Sequence, residues 1–120
     1  MADFVIDIKK IDKDITLMAL HGTLDGFTAD ELTEALDNLI SVKIYRFIID
    51  LSDVRYIGSP GIGAFIRVID ILQENKGTMV FIYPNPNVKA TFKMFKLSAF
   101  YSIAKDRETA VKELQALCKK

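Results

Sequence analysis

The sequence of 120 residues contains very few of the side chains that form covalent cross-links or metal centres. Cys118 is its one cysteine and His21 its one histidine. An intramolecular disulfide is therefore excluded, and so are the usual zinc ligand sets. A lone cysteine fits a reducing compartment. We expect a cytoplasmic protein that uses no metal and no cofactor.

Net charge is also absent. Sixteen Lys and Arg residues balance sixteen Asp and Glu residues, so no overall field attracts nucleic acid or anionic lipid. Residues 1–4 lack the basic and apolar regions of a signal peptide. Arg67 and Asp70 interrupt the most apolar stretch, well short of the roughly 18 to 20 apolar residues that span a bilayer. We expect neither direct nucleic-acid binding nor membrane insertion.

Sequence motifs of common enzymes are missing as well. A nucleophile elbow around Ser59 would require glycine at position 57, which is Ile57. No P-loop occurs, and the glycines near Ser59 match no dinucleotide-binding fingerprint. His21 could serve one base role at most, and nothing in the sequence orients it toward Ser59. We expect a protein that is not an enzyme, with a small hydrolase using Ser59 as a minor alternative.

What the sequence does contain is enough apolar residues, half of the total, for one hydrophobic core. The patterning predicts the series β-β-α-β-α-β-α-β-α, and such alternation indicates a mostly parallel or mixed sheet flanked by helices. We predict one α/β domain over residues 1–120, with four to five strands and about four helices. Strands are predicted at 4–8, 15–20, 44–51, 78–83 and 101–104, and helices begin near residues 28, 59, 85 and 106.

Two of the predicted helices begin with recognisable capping residues. Thr28 is the expected N-cap of the first helix, with Glu31 completing a capping box and Phe27 forming a hydrophobic staple. Asn85 is the expected N-cap of the third helix, followed by Pro86 in the first turn.

Residues 57–63 join a buried strand to an apolar helix that ends at residue 75, and they place one serine at the junction. Ser59 followed by Pro60 fits an N-cap and the first helical position. The same hydroxyl is placed where a kinase could reach it. Two interpretations stay open: Ser59 only caps the helix, or it caps the helix and also accepts a phosphoryl group.

Four stretches, in this order and spacing, cover nearly the whole chain: residues 22–25 with 28–32, residues 50–54, residues 58–63, and residues 87–89 with Phe92 and Leu97. Together they resemble the STAS domains of small bacterial anti-sigma factor antagonists. Gly58 stands where that family has an aspartate, and Pro60 where it has a small residue. Lys96 stands where the family often has a glycine.

The resemblance implies a binding switch. Unphosphorylated antagonists bind an anti-sigma factor that is itself a serine kinase, and so release a sigma factor for transcription. Phosphorylation of the loop serine, by position Ser59, ends the binding, and a phosphatase acting on Ser59 restores it. The alternative is a non-enzymatic STAS subunit or scaffold, for example of a lipid-transport or stress-signalling complex, in which Ser59 only caps a helix. Gly58 favours that alternative.

The residues expected to bind the partner surround the serine. They are Asp25, Gly58, Ser59, Pro60, Gly61, Ile62, Gly63 and Arg67. Structural roles compete with this interpretation: Asp25 also fits a turn, and Gly61 and Gly63 also fit close packing against the sheet. Val68 and Ile71 fit a helix buried in the core as well as a partner surface. A weak homodimer is left open.

Overall fold

The computed structural model of the protein describes residues 4–118. Residues 1–3, which include most of the N-terminal segment considered above, lie outside this range. Five strands form one sheet in the order β1-β2-β3-β4-β5. They are β1 (Val5–Asp12), β2 (Ile15–Leu24), β3 (Arg46–Ile57), β4 (Thr78–Ile82) and β5 (Ser102–Ala104). The β1–β2 pair is antiparallel and the other three pairs are parallel, which confirms the predicted mixed sheet.

The helices follow the predicted order with one difference. They are α1 (Ala29–Ser41), α2 (Ser59–Ile66), α3 (Ile69–Glu74), α4 (Pro86–Met94) and α5 (Arg107–Cys118), with a 3-10 turn at Leu97–Ala99. The single helix expected after Ser59 is therefore two helices. Within residues 4–118 no helix is long and apolar enough to cross a membrane.

Each face of the sheet is covered by helices, and β3 shows why its apolar run does not alternate. Phe47 and Ile49 pack with α1 to α4 on one face, while Ile48 packs with Ala110 and Leu114 of α5 on the other. Successive side chains of a strand point to opposite faces, so a strand covered on both sides is apolar at every position.

A side chain from another part of the core binds the end of α2, where the predicted helix is interrupted. The hydroxyl of Tyr101 donates a hydrogen bond of 2.6 Å to the carbonyl oxygen of Phe65, close to the end of α2. Burial raises the pKa of this phenol, so the hydroxyl stays protonated and remains a donor. Because the last carbonyls of a helix lack partners within it, Tyr101 satisfies one of them. The sequence pattern did not reveal this contact.

The strands at the centre of the sheet are longer than predicted. The β2–β3 pairing continues past Asp50 through two register shifts, after Ala19 and after Gly22, and ends where Leu24 pairs with Ile57. Bulges of this kind let a ladder continue although the hydrophobic alternation is lost. As a result, β2 and β3 end side by side, and the junction at Ser59 lies just beyond their carboxyl ends.

Candidate functional site around Ser59

The site begins where β2 and β3 end together. The backbone N–H of Gly58 donates a hydrogen bond of 2.8 Å to the carbonyl oxygen of Leu24. The segments that follow the two strands therefore leave the sheet side by side, one carrying Asp25 and the other Ser59. Binding sites of parallel sheets commonly lie beyond the carboxyl ends of the strands.

Ser59 is not the N-cap of α2. The N-cap is Gly58, which is extended (φ −89°, ψ 176°), and the helix begins at Ser59 with no side chain capping it. The prediction that Ser59 caps the helix is therefore wrong. The physical reason is that Pro60 is tolerated at the second helical position too, because an N–H there has no partner within the helix. The exposed Ser59 hydroxyl is not committed to holding the helix start.

The backbone donors next to Ser59 are already in use. The N–H groups of Gly61 and Ile62 both donate to the carbonyl oxygen of Gly58, at 3.0 and 3.2 Å, and Pro60 has no N–H. A phosphoryl group on Ser59 would still meet the positive end of the helix dipole. With few backbone donors to bind it, most of its charge would face outward.

Two glycines of α2 have opposite surroundings. A Cβ on Gly61 would lie 2.6 Å from Cδ2 of Leu24, so the close approach of α2 to the end of β2 requires a glycine. A Cβ on Gly63 would meet nothing within 4 Å, and Gly63 is exposed. Close packing therefore accounts for Gly61 and does not account for Gly63.

The structure divides the expected partner-binding residues into two groups. Exposed residues are Ser59, Pro60, Gly63 and Arg67, with Asp25 partly exposed, whereas Gly58, Gly61 and Ile62 are buried. The buried group positions the helix and offers no side-chain surface. The Arg67 guanidinium donates to the Asp37 carboxylate and so ties α2 to α1. Val68 is part of the core and Ile71 is 38 % exposed.

Thr28 is the N-cap residue of α1, as predicted, but the reciprocal side-chain bonds expected between Thr28 and Glu31 form instead between Asp25 and Thr28. Its Oδ1 accepts the N–H groups of Phe27 (2.8 Å) and Thr28 (3.1 Å), and its own N–H donates to Thr28 Oγ1 (2.9 Å). These bonds, chiefly the one from Phe27, hold the pKa of the Asp25 carboxyl below its usual value. A capping box centred on Glu31 is thus not formed, because the Thr28 hydroxyl is occupied within this turn and makes no cap bond to the helix.

Phe27 was expected to pack as a hydrophobic staple, but it is a surface residue. It is 92 % exposed and forms no staple, since the turn at Asp25 directs it to solvent beside the same end of the sheet. Tyr56, 54 % exposed, precedes Gly58 on the β3 side. An aromatic residue inside a polar turn was the signal available in the sequence. Aromatic residues are enriched in protein–protein interfaces, so Phe27 and Tyr56 make this end of the sheet a candidate binding surface.

His21 belongs to a different cluster. Its Nδ1 is 2.9 Å from Asp53 Oδ2 and its Nε2 is 3.0 Å from Asp7 Oδ2, so the imidazole links β1, β2 and β3. The hydrogen bond with Asp53 is the main cause that raises the His21 pKa. Asp53 precedes Ser59 by six residues, roughly 20 Å along an extended strand. Both imidazole nitrogens are therefore engaged away from Ser59, so His21 is not positioned as the base of the hydrolase alternative.

Comparison with known proteins agrees with this geometry. The family model described as STAS domain matches residues 6–110. The chain is 26 % identical over 98 residues to the anti-sigma-B factor antagonist of Listeria monocytogenes, covering 82 % of this chain and 83 % of that protein.

Solved structures show the same fold. The crystal structure of an anti-sigma factor antagonist from Mycobacterium paratuberculosis superposes with a TM-score of 0.84 at 17 % identity, covering 94 % of this chain and 95 % of that one. The Bacillus cell fate determinant SpoIIAA in its phosphorylated form superposes with a TM-score of 0.70 at 15 % identity, covering 92 % and 99 %. On the match of the family model over most of its length, the chain belongs to the STAS domain family.

Proposed function

We propose that this protein is an anti-sigma factor antagonist that works as a phosphorylation-controlled binding module in the cytoplasm and has no enzymatic activity of its own. In its unphosphorylated form it binds an anti-sigma factor with serine kinase activity, and it is released when that kinase phosphorylates Ser59. A phosphatase acting on Ser59 restores binding, and the cycle regulates transcription that depends on a sigma factor. The observation that carries the proposal is the exposed Ser59 hydroxyl, which the helix start does not use.

The relatives support the choice of partner. The Listeria protein is named for its action on an anti-sigma factor, and SpoIIAA has been solved in a phosphorylated form. The exposed residues Ser59, Pro60 and Gly63, with Phe27 on the neighbouring turn, would form the docking surface. The open space above Gly63 would admit the partner's backbone.

Phosphorylation would act on the partner and leave the fold intact. A phosphoserine adds about −1.5 to −2 charges at neutral pH. On the free protein this dianion stays in water beside the helix N-terminus, where negative charge is favourable. In the complex it would be buried without enough donors, and each ~1.4 kcal/mol lost weakens binding tenfold. A loss of about 3 kcal/mol corresponds to more than 100-fold, which is sufficient for a switch.

The scaffold alternative keeps one supporting observation, the glycine at position 58 in place of the family aspartate. Its original form, in which Ser59 only caps the helix, disagrees with the structure because Gly58 occupies the cap position. A Cβ on Gly58 would lie 3.4 Å from the Tyr56 ring, an ordinary contact distance. The absence of aspartate is therefore not imposed by packing.

The experiment is incubation with ATP and the anti-sigma factor kinase of the same genome, followed by trypsin digestion and mass spectrometry. Cleavage after Arg55 and Arg67 releases residues 56–67, in which Ser59 is the only serine or threonine. We expect one phosphoryl group on Ser59 in that peptide. The Ser59→Ala variant is the control and should stay unmodified. An unmodified wild-type peptide beside a kinase that is active on another substrate would contradict the proposal.

Binding measurements separate the two functions. For a switch, Ser59→Asp weakens kinase binding by about 100-fold or more, while Ser59→Ala binds as the wild type does. For a scaffold, both variants form their complex unchanged. A hydrolase would instead turn over an activated ester, and Ser59→Ala would remove that activity.

A further inference from the structure

A cavity of about 400 Å³ lies at the opposite end of the sheet from Ser59. Its walls come from the β1–β2 hairpin and from the connection between α1 and β3; we call it the hairpin pocket. Ser59 lies two residues beyond Ile57, the last residue of β3, whereas the pocket contains the first, Arg46. At roughly 3.3 Å per residue, the two ends of β3 are about 35 Å apart. The hairpin pocket is therefore independent of the proposed docking surface.

The hairpin pocket concentrates positive charge in a protein that has no net charge. Lys10, Lys13, Lys43 and Arg46 line it, and Asp14 is the one acidic lining residue. Four cations against one carboxylate leave a formal excess of three positive charges. A chain with balanced charges would show no such excess if they were evenly mixed, so the pocket is an anion-attracting region.

Arg46 supplies the second observation. Its Nε is buried and has no hydrogen-bond partner among residues 4–118. Buried donors are almost always paired, so an unpaired one is an unfavourable exception. The backbone of Arg46 is fixed where β3 pairs with Thr78 of β4. An anion that enters the pocket would meet the terminal nitrogens of the Arg46 guanidinium, since Nε itself is covered by protein atoms.

The residue before Arg46 is fixed as well. A Cβ on Gly77 would lie 2.0 Å from the carbonyl oxygen of Tyr45, so the chain passes Tyr45 at a distance that admits only glycine. Tyr45 also lines the hairpin pocket. The pocket is thus built on rigid backbone on the β3 side.

Four of the other lining residues are apolar, and Thr16 and Tyr45 complete the walls. Ile8, Leu39 and Ile44 line the pocket together with Val42, and Ile8 is 48 % exposed although it lies on a strand. Pockets of about 300 to 1,000 Å³ with apolar walls and a few convergent polar groups are typical of small-molecule sites. An occupant should therefore carry an apolar body as well as negative charge.

We propose that the hairpin pocket binds a small phosphate monoester with an apolar body. The Arg46 guanidinium and the three lysines neutralise the phosphate, and Ile8, Leu39 and Ile44 contact the apolar part. A phosphate dianion matches an excess of three positive charges better than a single carboxylate does. Arginine is suited to this role because its planar group donates several hydrogen bonds in a fixed geometry.

The test is a ¹H–¹⁵N NMR titration of the full chain with 1-naphthyl phosphate at low ionic strength. Saturable shifts are expected at residues 8–16 and 39–46, with Ser59 and its neighbours unaffected. The neutral analogue 1-naphthol and inorganic phosphate should each bind at least about tenfold more weakly. Equal binding of either analogue would overturn the proposal, as would shifts centred on the Ser59 end.

Matched variants decide whether the binding is specific. Arg46→Gln should weaken the binding of 1-naphthyl phosphate at least about tenfold, since hydrogen bonds between charged groups are stronger than neutral ones. Lys43→Gln, in the exposed connection, gives a second reading if Arg46→Gln proves unstable. The control is Lys9→Gln, which removes the same charge from the neighbouring position of β1 and does not line the pocket. If Lys9→Gln lost as much affinity for 1-naphthyl phosphate as Lys43→Gln, the attraction would be non-specific and the proposal would be wrong.

Discussion

The starts of α2 and α4 have nearly the same backbone and opposite chemistry. Gly58 (φ −89°, ψ 176°) and Asn85 (φ −71°, ψ 168°) are both extended N-caps, and a proline lies in the first turn of each helix. The Asn85 side chain accepts the Val88 N–H at 2.8 Å and donates to the Val54 and Arg55 carbonyls of β3. Gly58 has no side chain to do either.

The difference shows which helix start is specialised for stability and which is left accessible. At α4 the polar side chain joins helix and sheet. At α2 the neighbouring residue, Ser59, is exposed, and its side chain makes no hydrogen bond in the cap. Stability and accessibility are therefore assigned to different helix starts at the same end of one sheet.

Breaking the α4 start should have the largest effect on stability. Asn85→Ala removes the cap and leaves two β3 carbonyls without their donor, which we expect to lower the free energy of unfolding by about 2–3 kcal/mol. Ser59→Ala should change it by less than about 0.5 kcal/mol. Urea unfolding followed by circular dichroism measures both. Similar losses in the two variants would mean that Ser59 does cap α2.

The two glycines of α2 sharpen the comparison within one helix. Gly61→Ala should cost about 1–2 kcal/mol, because its methyl group would overlap the Leu24 side chain. Gly63→Ala should raise stability by up to about 1 kcal/mol, because alanine favours the helix and the space is open.

Binding is the second measurement on the same pair. If the partner approaches over Gly63, Gly63→Ala weakens kinase binding although it stabilises the free protein. Calorimetric titration with the kinase measures the affinity, and the unfolding data measure the stability. Opposite changes in the two would separate binding from folding. Unchanged affinity in Gly63→Ala would place the partner elsewhere on the surface.

The smallest expected effect comes from making the two helix starts alike. Gly58→Asp supplies a side-chain oxygen at the N-cap, as Asn85 does for the Val88 N–H, although here the Gly61 N–H already donates to the Gly58 carbonyl. Glycine is only slightly inferior as an N-cap, so we expect a gain of a few tenths of a kcal/mol. Thermal unfolding detects it as a small rise in Tm. A marked destabilisation would show that position 58 requires glycine, contrary to the 3.4 Å clearance at Tyr56.

Features set by neighbouring residues in the chain were predictable from the sequence. Asn85 followed by Pro86 specifies a helix start within a few residues, and the structure confirms both positions. The fold class was predictable for a similar reason, because the run around Phe47 and the alternation of elements reflect burial on two faces. The family resemblance added the position of the proposed site at Ser59.

Features that depend on distant contacts were not predictable. Pro60 is compatible with either Gly58 or Ser59 as the cap, and the hydrogen bond from the Ile62 N–H to the Gly58 carbonyl shows which arrangement forms. The cluster of Asp7, His21 and Asp53 depends on strand register, and register was shifted by bulges that the pattern does not reveal. The Asp25 turn likewise takes the Thr28 hydroxyl that a local rule assigned to α1.

Lys96 shows how a departure from the family pattern can leave the backbone unchanged. Its φ is 56°, in the left-handed region that glycine adopts without strain. The residue type differs from the family's glycine, but α4 is still followed by a left-handed residue, a common way to end a helix.

The hydrogen bond from Tyr101 to Phe65 has a consequence for the evolution of the proposed switch. Helix α2 is only eight residues long and is fastened near its first residue by Leu24 and near its last by Tyr101. Tyr101 immediately precedes β5, at the edge of the sheet. Substitutions at that distant edge can therefore shift how the serine is presented without altering any residue that a partner touches, so relatives could diverge in partner choice through changes far from their interface.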